Sequence, residues 1–347
     1  MKTLKLQKLI LVPTMFLFLF TCENKKDNAN ERDLWPEIEP FQTGYLKVSD
    51  IHEIYYELCG NIKGTPVFVI HGGPGMGCSP YMRRFFDPEK YLIVLHDQRG
   101  AGKSKPNAEL RENTTQNLVE DIEQLRIKLK ADKIILFGGS WGTTLSLAYA
   151  EKYPEHVSHM VLRGIFLGTR QEGKHFWEDI PNFFPEIYES FKNQIPDSAL
   201  PPGDENMLEL IQSQNKPDRD IYSKLISRFE YKASGLNIPD SVLDKYYGSD
   251  DNLNEISTCA LIETFYAKNN FFLEEDQLMR DIYKIKNIPT IIINGRYDMI
   301  CPPVTAFNLH LKLPLSRLII AEEAGHSMDE KPIEKELLKA MQNPNQE

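Results

Sequence analysis

Ser140 stands at the centre of Gly138-Gly139-Ser140-Trp141-Gly142, directly after the apolar run 134–137 and directly before a helix-favouring stretch, 143–151. A G-x-S-x-G between a strand and a helix predicts a nucleophile elbow, a turn so tight that the serine hydroxyl is left exposed at the sheet edge. A serine hydroxyl is a weak nucleophile at neutral pH, so it needs a base held in place by a third group. In this arrangement Asp or Glu and then His follow the serine in chain order. Asp298 follows the apolar run 289–293, and His326 follows the run 317–320, 28 residues later. All three sit just past strand ends, and in an open α/β sheet the carboxyl edge is where catalytic side chains collect.

Each assignment has competitors in the same chain. G-x-S-x-G also arises in loop glycine clusters, and eight histidines are present. Asp276 and Asp281 compete with Asp298, but neither follows an apolar strand. The oxyanion of an acyl transfer needs two backbone donors, one from the residue after the nucleophile and one from the loop after the third strand. Trp141 fills the first position. The run 67–70 ends in His71-Gly72-Gly73-Pro74-Gly75, so Gly73 fills the second. His71 is expected to shape this loop and not to titrate in catalysis.

Four motifs now stand in order: His71-Gly72-Gly73-Pro74-Gly75, Asp97-Gln98-Arg99-Gly100-Ala101-Gly102-Lys103-Ser104, Gly139-Ser140-Trp141-Gly142 and Gly295-Arg296-Tyr297-Asp298. Together, over about residues 43–343, they resemble the proline iminopeptidase (prolyl aminopeptidase) family; related esterases share fewer of them. The resemblance implies an α/β-hydrolase serine peptidase that removes N-terminal proline from peptides. Such an exopeptidase must hold a protonated amine at a fixed distance from the nucleophile, which calls for carboxylates in a partly desolvated pocket. Glu230 and Glu263 lie among aromatic and aliphatic residues and are similar in context to the family's amine-binding glutamates. Phe229 stands where the family has Trp, and Phe166-Leu167-Gly168-Thr169-Arg170 departs from the family's Phe-Leu-Leu-Arg. Phe176, Trp177 and Phe183 are candidate pocket aromatics, with plain core as the competing role.

The elements that position these residues follow from apolar patterning. Strands are expected at 44–48, 53–58, 67–70, 92–96, 134–137, 159–163, 290–293 and 317–321, alternating later with helices. The clearest helix is 113–129, with Thr114 or Thr115 as cap. This alternation points to a largely parallel sheet, and the resemblance implies an α/β-hydrolase fold: a mostly parallel eight-stranded sheet with an inserted, mainly helical cap. The core is expected over 43–166 and 287–347, and the cap over 167–286.

The front of the chain differs. Lys2, Lys5 and Lys8 precede 12 largely apolar residues, 9–20, too few for a spanning helix but suited to a signal h-region. Residues 1–21 are expected to be a signal peptide. Cys22 at its end resembles the acylated cysteine of a bacterial lipoprotein, and 22–42 is expected to be a flexible tether. The expectation is an exported, membrane-anchored lipoprotein of a bacterial cell envelope, the alternative being a soluble periplasmic or secreted protein.

The net charge is −10, or −13 without the first 21 residues, which hold three lysines and no acid. No basic patch suited to nucleic acid is visible, whereas an acidic cleft would attract an N-terminal amine. Cys59, Cys78, Cys259 and Cys301 show no spacing that reveals pairs; Cys301 is expected to be a small buried hydrophobe. No metal-ligand spacing and no dinucleotide-binding glycine motif occurs, so no metal and no cofactor is expected. The competing functions are an α/β-hydrolase esterase or amidase of other specificity and, more remotely, a non-catalytic binding lipoprotein.

Overall fold

The computed structural model describes residues 33–342 except 214 and 251. The expected signal peptide, Cys22 and the first part of the expected tether lie outside the described residues. Where that tether is described it touches the folded domain: the Trp35 N–H donates to the Arg84 carbonyl at 2.9 Å, and Leu34, Trp35 and Ile38 pack on the core.

Among the described residues eight strands form one sheet, one for each expected run: β1 (Gln42–Lys47), β2 (Glu53–Gly60), β3 (Thr65–Ile70), β4 (Tyr91–His96), β5 (Ile134–Ser140), β6 (Val157–Ile165), β7 (Thr290–Gly295) and β8 (Ser316–Ala321). Their order is β1-β2-β4-β3-β5-β6-β7-β8. β1 and β2 pair antiparallel with each other and β2 with β4, and every pairing from β4 onward is parallel. Parallel strands covered on both faces read as unbroken apolar runs. β4 and β7 are indeed buried along their whole lengths.

Two helices on one face carry the site's scaffold. The helix α1 (Thr115–Lys128) starts where Thr114 Oγ1 accepts the Asn117 N–H at 3.3 Å, a cap worth about 1 kcal/mol. The second, α2 (Trp141–Lys152), leaves directly from Ser140. Between β6 and β7 the chain runs through α3 (Arg170–Lys174), α4 (Pro185–Lys192), α5 (Asp204–Ile211), α6 (Lys216–Ser234), α7 (Asp240–Gly248), α8 (Leu253–Lys268) and α9 (Gln277–Asp281). It closes with α10 (Pro303–Lys312) and α11 (Lys331–Gln342).

The core is split by the sheet. On one face Leu118, Ile122 and Leu125 of α1, Leu145 and Leu147 of α2 and Leu309 of α10 pack against alternate strand residues. Ile262 and Tyr266 of α8 join this cluster, so the inserted helices are rooted in the main core. On the other face Met82, Phe85 and Phe86 meet Ile333, Leu337 and Leu338 of α11. Among the described residues no helix is long and apolar enough to cross a membrane.

Candidate active site

Ser140 ends β5 with φ 58° and ψ −129°, a conformation non-glycine residues rarely hold. The flanking glycines have no room for a side chain. A Cβ on Gly138 would meet the Gly142 carbonyl at 2.4 Å, and one on Gly142 would meet the Ile70 carbonyl at 2.2 Å. The elbow is therefore wedged between its own helix and β3, with the hydroxyl left to face outward.

The turn after β7 carries Asp298, and the loop after β8 carries His326. His326 Nδ1 lies 2.9 Å from Asp298 Oδ2, while Asp298 Oδ1 accepts the N–H groups of Ile300 at 3.1 Å and Cys301 at 2.7 Å. With its oxygens so engaged the carboxylate cannot rotate freely, and it sets the ring in the Nδ1–H tautomer. Two further contacts place the ring. Gly164, at φ +59°, leaves space where a Cβ would meet His326 Cε1 at 2.9 Å. The His326 N–H donates to the Ser234 carbonyl of α6 at 2.7 Å.

The expected oxyanion loop follows β3. A Cβ on Gly72 would lie 3.5 Å from Ser140 Cβ, so this loop passes directly over the elbow. Gly73 has φ +100°. His71 organises the loop: Nε2 accepts the Gln98 N–H at 3.0 Å, and Nδ1 lies 2.9 Å from the Gly72 carbonyl. The Gln98 side chain in turn donates to the His71 carbonyl at 3.0 Å and accepts from Trp141 Nε1 at 2.8 Å. Burial pushes His71 below the ordinary histidine range, so it serves as a neutral strut. Trp141 is wholly buried and does not itself line the cavity above Ser140.

Asp97 to Ser104 prove to be structural. The Asp97 carboxylate caps the N–H groups of Cys78 and Lys103, each at 2.8 Å, and Arg99 forms a buried two-pronged pair with Asp121 at 2.7 Å on both sides. This knot braces the loops that flank the elbow.

A cavity of about 400 Å³ opens above Ser140, and Gly73, His326, Glu230 and Glu263 all line it. Asp298 stands behind His326, outside the lining. Glu230 comes from α6 and Glu263 from α8, two helices packed side by side, so residues 33 positions apart share one wall. Burial first, and then the Glu230 carboxylate, hold Glu263 well above the usual carboxylate range. Burial also raises Glu230, opposed by the hydrogen bond from Glu263 and by His326. Both carboxyls are thus pushed toward their protonated forms, Glu263 the more strongly.

Several expectations about the wall are corrected. Phe176, Trp177 and Phe183 do not line this cavity. Phe176 packs on Phe229, Trp177 lines a second cavity and packs near Phe191, and Phe183 is 60 % exposed. The aromatic wall comes instead from Tyr231, Tyr246 and Tyr247, on α6 and α7. Helical periodicity cannot tell an outward aromatic from an inward one until the neighbouring helix is placed. Phe229, where the family has Trp, faces Phe176, Tyr188 and Phe191 and not the substrate space. The departing stretch 166–170 builds the start of α3, where Thr169 and Glu172 form a capping box, and it borders the second cavity. The four described cysteines are free thiols, with Cys59 and Cys301 buried.

Sequence reasoning missed Arg163. Its guanidinium lies in the cavity floor beside Gly139, where a Cβ would meet Nη2 at 2.4 Å, and Nη1 reaches His326. The available signal was a cation closing the apolar stretch of β6 at the sheet's carboxyl edge.

A strained elbow serine, an imidazole bound to a carboxylate and an amide loop over a parallel sheet define an α/β-hydrolase. Comparison with known proteins agrees. The family described as alpha/beta hydrolase fold matches residues 65–329. An esterase from Exiguobacterium antarcticum superposes with a TM-score of 0.60 at 22% identity, covering 87% of this chain and 99% of that one, a likeness of fold. The probable proline iminopeptidase of Leptolyngbya boryana is 44% identical over 89% of this chain and 96% of its own length. The proline iminopeptidase of Arabidopsis thaliana is 40% identical over 90% of this chain and 82% of its own. The chain belongs to the proline iminopeptidase family.

Proposed function

We propose that this protein is a serine exopeptidase that releases proline from the N-terminus of peptides. The observation that carries the reading is the half-buried acid pair, Glu230 and Glu263, sharing one cavity with the elbow serine. Carboxylates in such a wall would bind a protonated N-terminal amine and limit cleavage to the first residue.

In this mechanism His326 Nε2 takes the proton of Ser140 as Oγ attacks the carbonyl carbon of the N-terminal proline. Asp298 holds the ring and stabilises the imidazolium. The N–H groups of Gly73 and Trp141 meet the oxyanion, as preorganised donors that need no rearrangement when charge develops. His326 then gives its proton to the leaving amine. Water attacks the acyl-enzyme with His326 again as base, and Ser140 is regenerated. The pyrrolidine ring would pack against the tyrosine wall, with its nitrogen at Glu230 and Glu263.

The test is hydrolysis of proline β-naphthylamide beside its N-acetylated form and an alanine analogue, with the full-length protein. Rapid cleavage of the free-amine proline compound alone supports the reading. Equal cleavage of the acetylated compound would leave an esterase or amidase of other specificity. Failure of Ser140 to react with a fluorophosphonate would point to a non-catalytic binding protein.

We also propose export and lipid anchoring at Cys22, supported by three lysines ahead of a short apolar run that ends at this cysteine. In a bacterial host fed an alkyne-tagged fatty acid, the wild type should take up label and Cys22→Ala should not. Labelling of neither, with the protein recovered in the medium or periplasm, would favour a plain secretory signal.

A further inference from the structure

Arg163 is a cation that the steps above do not use. Its Nε is buried with no hydrogen-bond partner, and none of the ion pairs among the described residues includes it. Its Nη1 makes two contacts, both to one residue: 2.8 Å to the His326 carbonyl and 3.2 Å to His326 Nε2. Leaving a guanidinium so poorly compensated is costly unless the position returns something.

The donor inventory shows what that is. A guanidinium only donates. Because Nδ1–H is directed at Asp298, Nε2 of the neutral ring is a lone pair, and the contact to Arg163 is an N–H···N hydrogen bond. A proton added at Nε2 would put two N–H groups head to head. The charges facing the ring are otherwise acidic: Asp298 from the turn after β7, Glu230 from α6 with Glu263 behind it, and Asp329 in the ring's own loop, while Glu330 of that loop is turned to the N–H groups of Gly325 and Leu236. Each of these acids, when ionised, favours a proton on the imidazole, and Arg163 alone among them opposes it.

We propose that Arg163 is the positioning residue of the catalytic base: it pins the His326 main chain and, by donating to Nε2, admits only the neutral ring to the empty site. The base therefore awaits substrate unprotonated inside an acidic pocket, and the Ser140 hydroxyl replaces Arg163 as donor to Nε2 when the acyl group is bound. No bond to Arg163 is made or broken, and it keeps its own proton throughout. The inference rests on the reading of His326 as the base, and not on which peptide is cleaved.

The experiment is the rate at which a fluorophosphonate labels Ser140 between pH 5 and 9, in the full-length wild type, Arg163→Gln and Arg163→Lys. A unit charge at this range, even at an effective dielectric of about 20, is worth at least one pH unit, so the acid limb of Arg163→Gln should lie about one unit higher. Arg163→Lys should hold the limb within about 0.3 unit, yet label about tenfold more slowly because one ammonium cannot serve both the carbonyl and Nε2. An unshifted limb in Arg163→Gln would overturn the proposal and leave Arg163 a strut. If that variant does not fold, the ¹⁵N spectrum of the wild type at pH 8 decides: Nε2 should appear as a hydrogen-bonded acceptor, and a free acceptor nitrogen would overturn it. Labelling without cleavage of proline β-naphthylamide would sink the aminopeptidase reading alone.

Discussion

The carbonyl of Ser234 accepts the main-chain N–H of His326 at 2.7 Å, and that of Ser327 at 3.0 Å. Ser234 is one helical turn beyond Glu230 on α6. One helix thus supplies an acid of the proposed amine wall and the strut for the proposed base, so the distance between the two is built into a single rigid element. Truncation of α6 would disturb both at once.

Ser140→Ala should lower turnover of proline β-naphthylamide by about 10⁴-fold or more, because nucleophile and base act as a unit. The circular-dichroism melt should be unchanged or slightly higher, since alanine does not relieve the φ 58° turn. Turnover near the wild-type rate would reject the serine mechanism.

Gly164→Ala tests ring placement separately from the chemistry groups. The new Cβ would sit 2.9 Å from His326 Cε1 in a positive-φ position, which costs about 1–2 kcal/mol and moves the imidazole. Activity should fall about 100-fold while the melting point drops by only a few degrees. Loss of fold and activity in proportion would instead mean that Gly164 matters only for stability.

Binding at the acid pair should release a proton. In the empty site burial and then Glu230 push Glu263 toward its protonated form; a bound ammonium favours the ionised form, so its affinity for the proton falls on binding. Titration of the full-length protein with pyrrolidinium near pH 7, in buffers of different ionisation enthalpy, should report up to about one proton released per ligand. Glu263→Gln should abolish that release. Heat independent of buffer in the wild type would show that the pair is already fully ionised.

Glu151, far from the cavity on α2, should make stability depend on pH. Burial, followed by Asp281, pushes it from 4.5 up to about 8 against the pull of Lys284 and Arg280, and its Oε1 has no partner among the described residues. The folded state keeps a proton that the unfolded chain releases above about pH 4.5. Stability from this group is therefore full below that pH, declines as pH rises towards 8, and then levels off. Glu151→Gln should be about 1–3 kcal/mol more stable than wild type at pH 8.5 and indistinguishable near pH 4.5. Equal denaturant midpoints at both pH values would refute it.

Much of this was legible from local pattern. Each of the eight strands overlaps the stretch expected for it, and the signal is plainest in β4 and β7, because a strand buried on both faces must be apolar along its length. The elbow, the loop 71–75 and the residues after β7 and β8 are also local: glycine spacing and strand ends mark them, and chain order brings them to one sheet edge. The fold class follows from the same pattern.

What the tertiary structure decided is every relationship that crosses between elements. Glu230 and Glu263 share a wall only because α6 and α8 pack together, and the upward shift of both carboxyls arises from that burial. The tyrosines of α6 and α7, and not Phe176, Trp177 and Phe183, face the cavity, since which side of a helix is inward depends on its neighbour. Arg163 reads in the chain as one cation at the end of a strand. Its meaning comes from Gly139 leaving it space and from His326 arriving 163 residues later with a lone pair to meet it. Periodicity reports which residues avoid water, whereas hydrogen bonds and charges act between groups whose separation only the folded chain defines.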